Sequence, residues 1–216
     1  MSSACRIIRF TTDNSEEAIE AAVTVLLRGG IVALPTDTLY GISTLLPFSE
    51  KLYALKKRSR EKPLGIFLPN PTSLKLVSKQ TIPDELARSL LPGPVTLMFE
   101  RLSTLPESFN PGVQNVCCRV PDSPVISKIC SRLKQPLAQT SANVSGSPVN
   151  PMRVEDFEEL IPQIDLVLDN GPILPGSEEG STIVDLTVQD HFKIVRNGCA
   201  EKDTKAKLYS FGWKET

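Results

Sequence analysis

Short apolar runs bounded by glycine or proline constrain this chain more than any other feature. Residues 31–34 (Ile-Val-Ala-Leu) follow Gly29-Gly30 and stop at Pro35. Runs of four to six residues of this kind suit buried strands, because helices need longer periodic segments. Further strands are expected at 6–10, 64–68, 94–100, 116–120, 164–168, 182–186 and 191–196. Between them lie segments of helical period. Ile19, Ala22, Val23, Leu26 and Leu27 fall on one face after the cap-forming Asp13-Asn14-Ser15, with Glu16 and Glu17 in the first turn. Helices are also expected at 50–58 (Leu52, Tyr53 and Leu55 inward), 72–78, 84–91, 125–133 and 154–161. Strands and helices mixed along the whole length imply a layered α/β domain. Several strands follow one another without a helix between them, so a mixed sheet is expected rather than a parallel one.

Composition narrows the function. Hydrophobic residues make up 40 % of the 216, enough for a sizeable core, and 24 basic against 25 acidic residues leave a net charge of −1. Bulk charge therefore does not select a nucleic-acid binder. The five cysteines include no C-x-x-C pair, which argues against a disulfide framework or a zinc site. No segment is long and apolar enough to span a bilayer, and the stretch 1–9 has neither a signal core nor transit-peptide chemistry. Cytoplasm is the expected compartment, with a mitochondrial form left open.

Neither a G-x-x-x-x-G-K-[ST] loop nor a G-x-G-x-x-G turn occurs, and His191 is the single histidine, at an apparent turn. Polar chemistry gathers elsewhere. Pro35-Thr36-Asp37-Thr38-Leu39-Tyr40-Gly41 puts two hydroxyls, a carboxylate and a phenol at a strand's C-terminal end, where ligands commonly bind. Lys56, Lys57, Arg58, Arg60 and Lys62 form the densest basic cluster, suited to phosphates. Arg119 sits in an apolar strand and needs a buried acceptor or a ligand.

These segments also occur in a telling order. P-T-D-T-x-Y-G, K-x-R, K-P-L, P-G-P-V-T, R-x-P, T-S-A-N-x-S-G, G-S-T-I-V-D and Val195-Arg196-Asn197-Gly198 follow one another over roughly residues 6–200. Together they resemble the YrdC/Sua5 family, the threonylcarbamoyl-AMP synthases, in its single-domain form. The resemblance implies an open, twisted mixed β-sheet flanked by helices, with a basic concave site. It implies a catalytic domain at 1–200; the polar, charged residues of 201–216 read as a weakly packed tail with a short helix at its end. It also implies condensation of L-threonine, bicarbonate or CO2 and ATP to threonylcarbamoyl-AMP and pyrophosphate. That product serves N6-threonylcarbamoyladenosine formation in tRNA, through a tRNA threonylcarbamoyl-transfer complex. Carried over by position, Lys56 and Arg58 are catalytic. Arg58, Lys62, Asn115, Asn143 and Arg196 bind ATP, and Thr38, Tyr40, Phe67, Arg119, Ser141 and Ser181 bind threonine. Asn150 is a weaker carry-over. Mg2+ arrives with ATP, not on a protein site. An anionic nucleophile attacking an anionic polyphosphate chiefly needs cations, which agrees with the absence of a catalytic histidine. Two other readings stay open: a non-catalytic double-stranded RNA or tRNA-binding module, of which weak tRNA binding would be the trace, and a carbamoyl-adenylate-forming enzyme. Aromatics at 6 % and near-zero net charge argue against the first.

Overall fold

The computed structural model describes residues 5–216, so the reading of the extreme N-terminus falls partly on residues outside that range. The chain builds one eleven-stranded sheet. In chain order its elements are β1 (Arg6–Arg9), α1 (Ser15–Leu27), β2 (Val32–Pro35), β3 (Tyr40–Leu45), α2 (Glu50–Lys56), β4 (Gly65–Phe67) and α3 (Asp84–Leu90). Then come β5 (Val95–Glu100), β6 (Asn115–Arg119), α4 (Pro124–Leu133), β7 (Leu137–Ser141), β8 (Leu166–Asp169), β9 (Thr182–Asp185), β10 (His191–Arg196), α5 (Glu201–Ser210) and β11 (Lys214–Glu215). Pro71–Leu76 and Val154–Gln163, expected as helices, are 3-10 segments. In the second, Phe157 breaks the helical backbone and Pro162 lies near its end.

The strand order is β1-β8-β2-β3-β7-β4-β6-β5-β9-β10-β11, with an edge at each end. Parallel pairs (β1·β8, β2·β8, β4·β6, β5·β9, β10·β11) are interleaved with antiparallel ones (β2·β3, β3·β7, β4·β7, β5·β6, β9·β10). The mixed sheet expected from the sequence is present. Strands β3 and β7 were not expected as such. Their polar residues (Ser43, Thr44, Gln139, Thr140 and Ser141) hide the apolar signal, yet they pair with each other over five residues at the middle of the sheet.

Period-two alternation sends neighbouring residues of each strand to opposite faces. Ala33, Ile42, Ile66, Cys118, Ala138 and Val167 point to one face, where α2, α3, α5 and the Val154–Gln163 segment close the larger core. Val32, Leu34, Leu45, Phe67, Leu137, Leu166 and Leu168 point to the other, where α1 and α4 pack side by side. This helix pair covers only the β8-β2-β3-β7 part of that face and its border at β4.

The reading of 201–216 as a weakly packed tail is corrected. Its charged residues lie on the outer side of α5, where Lys205 pairs with Glu201 and Glu215. Leu208 is fully buried and Trp213 nearly so, both in the larger core. β11 then extends the sheet beyond β10. Replacing Trp213 with alanine is expected to destabilise the fold by about 3–5 kcal/mol, the usual cost of emptying a buried aromatic site. Urea denaturation measures it, and a loss under 1 kcal/mol would restore the tail reading.

Candidate functional site

Where α1 and α4 stop, the face they leave uncovered is a cleft of about 360 Å³, floored by β3, β7, β4, β6, β5 and β9. Strand register explains its floor. Gln139 on β7 lies opposite Gly65 on β4, and Gly65 lies in step with Cys117 on β6. Gly65 keeps this row low: a Cβ there would meet the Gln139 amide at 2.6 Å.

One wall is the β2–β3 turn. Pro35 lacks an N–H and closes β2. Thr36 then shapes the reversal. Its Oγ1 accepts from the backbone N–H of Thr38 at 3.0 Å and of Leu39 at 3.1 Å, and donates to the Leu39 carbonyl at 2.7 Å. The turn holds Asp37 and Thr38 against Arg119, which is 5 % exposed at the end of β6. Arg119 Nη2 donates to Asp37 Oδ1 at 2.6 Å, Nη1 to Thr38 Oγ1 at 2.9 Å, and Nε to the Gly93 carbonyl at 3.3 Å. Burial lowers the Arg119 pKa, and the Asp37 charge works against that shift. The acceptor that the sequence required for this arginine is Asp37, the carboxylate of the polar 35–41 motif.

The far wall comes from β9 and β10. Arg196 donates from Nη2 to the Ser181 carbonyl at 2.7 Å and to Ser181 Oγ at 3.0 Å, and that hydroxyl also meets Thr96 Oγ1 at 2.8 Å. Gly198 makes this wall possible, because a Cβ there would lie 2.4 Å from Thr182 N. At the near rim, Arg58 donates to the carbonyls of Lys62 at 2.7 Å and Pro63 at 3.1 Å. Arg58 and Arg196 therefore rest on neutral groups, with no carboxylate partner among the described residues. Burial lowers the pKa of each, and the Arg196 charge adds to the effect at Arg58.

Of the expected site residues, Thr38, Arg58, Phe67, Arg119, Ser141, Ser181 and Arg196 line the cleft, as does Asn150. Tyr40 borders it but turns its side chain to the opposite face. Its ring packs on Phe157 at 5.5 Å, and its hydroxyl donates to the Gly171 carbonyl at 2.7 Å and accepts from Asn170 N at 3.0 Å. Burial pushes that phenol up to about 12. Tyr40, expected at the threonine site, thus contributes to the cleft lining while its hydroxyl is a strut between β3 and the segment after β8. Lys62 is exposed and contributes a carbonyl to Arg58, while Asn115 begins β6 two residues before Cys117, outside the lining. Sequence reading gave no site role to Thr96, Cys117 and Gln139. Reading 137–141 as a strand would have placed Gln139 beside Ser141. Burial pushes the Cys117 thiol up to about 11, which disfavours its thiolate form.

Lys56 lies outside the lining and is 1 % exposed. Its ammonium reaches the T-S-A-N turn from the covered side, meeting Thr140 Oγ1 at 3.2 Å, Ser141 Oγ at 3.2 Å, Asn143 Oδ1 at 3.4 Å and the Ser141 carbonyl. Ser141 Oγ in turn donates to Asn143 Oδ1 at 2.7 Å. In this structure Lys56 and Asn143 shape the turn that presents Ser141.

The Sua5/YciO/YrdC family model, described as "Telomere recombination", matches residues 24–198. Proteins named threonylcarbamoyl-AMP synthase are similar to the chain. The Bos taurus protein is 41 % identical over 91 % of this chain and 73 % of its own length; the Homo sapiens protein is 42 % identical over 89 % and 71 %. Among solved structures, Pyrococcus abyssi Sua5 complexed with L-threonine superposes with a TM-score of 0.79 at 25 % identity. The match covers 99 % of this chain and 62 % of that one, so the chain spans about three-fifths of that protein.

Burial, with the Arg58 charge adding to it, pulls the Lys56 ammonium from 10.5 down to about 7. The folded state thus holds this proton less tightly than the unfolded chain. Lys56 therefore makes stability rise with pH across the window from about 7 to 10.5, and its full cost remains below 7. In urea denaturation at pH 7 and 9, Lys56→Met is expected to lose part of the wild-type gain at the higher pH. Equal gains in both proteins would mean that Lys56 is not a buried cation.

Proposed function

The chain belongs to the Sua5/YciO/YrdC family, and on that premise we propose that it is an L-threonylcarbamoyladenylate synthase, using L-threonine, bicarbonate or CO2, and ATP. The observation that carries this reading is the distribution of partners in the cleft. Arg58 and Arg196 are held by neutral groups and retain their charge for an anion, whereas Arg119 is paired with Asp37 and meets the hydroxyl of Thr38; the hydroxyls of Thr96 and Ser181 lie beside Arg196. Unpaired cations suit a polyphosphate, and the hydroxyls between them and Arg119 suit a hydroxylated amino acid.

Threonine's neutral amine adds to CO2 and gives up a proton to solvent, or condenses with bicarbonate with loss of water, to give an N-carboxylate. One of its oxygens attacks the α-phosphorus of ATP, the bond to the bridging oxygen breaks, and pyrophosphate leaves with the electron pair. Two anions must approach, so the catalytic need is positive charge and fixed geometry. Arg58 and Arg196 supply the charge from opposite walls. Arg119 offers its remaining N–H groups to the threonine carboxylate, and Ser141 and Ser181 sit where substrate hydroxyl and amine can be oriented. Mg2+ enters as part of the ATP substrate. Among the described residues no group of three His, Cys, Asp or Glu side chains comes together, and Glu179 is the one carboxylate in the lining. That donor set suits an ion whose other ligands are phosphates and water. The product is a reactive mixed anhydride, which fits direct transfer to a tRNA-modifying complex. Among the described residues no helix is long and apolar enough to cross a membrane.

The purified chain is expected to release pyrophosphate from Mg-ATP only when threonine and bicarbonate are both present. Release that instead needs carbamoyl phosphate, or none from a folded sample that binds tRNA steeply with salt, would overturn the reading. Loss of one charge-assisted bond costs roughly 1.5–3 kcal/mol, so Arg58→Ala should lower ATP-dependent turnover by about ten- to a hundredfold. Full activity in that variant would make the basic loop a solvated helix end. Valine should be turned over far less well than threonine, because a site that hydrogen-bonds a hydroxyl is left unpaired by the analogue lacking it. Kinetics with both amino acids check this.

A further inference from the structure

Three arginines line the cleft, and only one of them meets a carboxylate. Arg119 Nη2 lies 2.6 Å from Asp37 Oδ1, and the side chains are 6 % and 14 % exposed. A guanidinium has five N–H groups; Asp37, Thr38 and the Gly93 carbonyl engage three, which leaves two for a ligand. Asp37 does not itself line the cleft. It stands behind the Thr36 turn, in the wall of a second cavity of about 510 Å³ beside Pro94 and Cys199. Its Oδ2 is buried and has no hydrogen-bond partner among the described residues, so no other group in the fold offsets that oxygen.

The arginines of the cleft are therefore unequal. Arg58 and Arg196 keep their charge on opposite walls, while Arg119 and Asp37 sum to about zero at the β6 end of the cleft. Without Asp37, all three arginines would compete for the same polyphosphate, and ATP or pyrophosphate could settle where the amino acid belongs. We infer that Asp37 determines specificity: it neutralises Arg119 so that this end of the cleft accepts a lone carboxylate and rejects polyphosphate. This rests on the synthase reading and assigns to Asp37 the separation of the two substrates. A single carboxylate still gains two oriented donors from Arg119. A chain of phosphates meets no net positive charge there.

Pyrophosphate, the leaving group, is the probe. In the wild type it should compete with ATP and not with threonine, and calorimetric threonine binding should persist at saturating pyrophosphate. Asp37→Asn keeps size and acceptor and removes the charge. In that variant pyrophosphate should become competitive with threonine, inhibiting at a concentration about tenfold lower or less, the scale of one removed like-charge contact. Asp37→Glu keeps the charge and should keep the wild-type pattern. Wild-type inhibition in Asp37→Asn, or threonine competition in Asp37→Glu, overturns the inference. So does displacement of threonine by pyrophosphate from the wild type, a measurement that needs no variant to fold. A wild type that binds no threonine at all overturns the synthase reading with it. Threonine binding with the wrong competition pattern overturns this inference alone.

Discussion

The central strands of this sheet carry apolar side chains on both faces, and the helices cover one face far more fully than the other. α2, α3 and α5, with the 3-10 segment after the T-S-A-N turn, close the larger core. α1 and α4 close part of the other face and stop at β4 and β7. The remainder is the cleft, and its floor is paired backbone, not loop. Residues two apart on a strand share a face, so Cys117 with Arg119, and Gln139 with Ser141, are set by register. A floor of this kind holds reacting groups more firmly than a loop could, which matters for a reaction that relies on position more than on a covalent catalyst.

Electrostatics then sorts what the floor presents. Buried cations are costly unless compensated, and the cations around the T-S-A-N turn and the β6 end are treated differently. Lys56 is buried, compensated by four neutral oxygens and turned away from the cleft; Arg119 is buried and compensated by Asp37; Arg196 is exposed and leans on Ser181. The two arginines without a carboxylate partner among the described residues, Arg58 and Arg196, stand on opposite walls of the cleft. The glycines at 65 and 198 serve the same arrangement by letting a side chain and a backbone approach where a Cβ would collide.

Much of the fold was legible in residue patterns. Apolar runs closed by glycine or proline located most strands, and the successive strands without helices between them implied the mixed sheet. What was not legible had physical causes. β3 and β7 carry serines, threonines and a glutamine because half their residues face a polar cleft, so they lack the apolar period that marks a strand. The segment 201–216 reads as a tail because α5 is polar on most sides and docks through Leu208, with Trp213 following it. The site was legible mainly through the ordered motifs, which brought Thr38, Arg58, Phe67, Arg119, Ser141, Ser181 and Arg196 to one cleft.

By itself the sequence determined the α/β class, the family, and the residue types that would gather, because local period, turn chemistry and motif order are properties of the chain. Only the tertiary structure decided which of those side chains face the cleft. Tyr40 and Gly41 are neighbours in one motif, yet the pleat sends the tyrosine ring to the opposite face. Lys56 and Arg58 are two residues apart, yet the helix ends at Lys56 and Lys57 takes a left-handed turn, so one cation goes beneath the sheet and the other to the rim. Asp37 and Arg119 are 82 positions apart, and no local pattern couples them. Their pairing exists because the β2–β3 turn and the end of β6 meet across strands that only the folded sheet brings together.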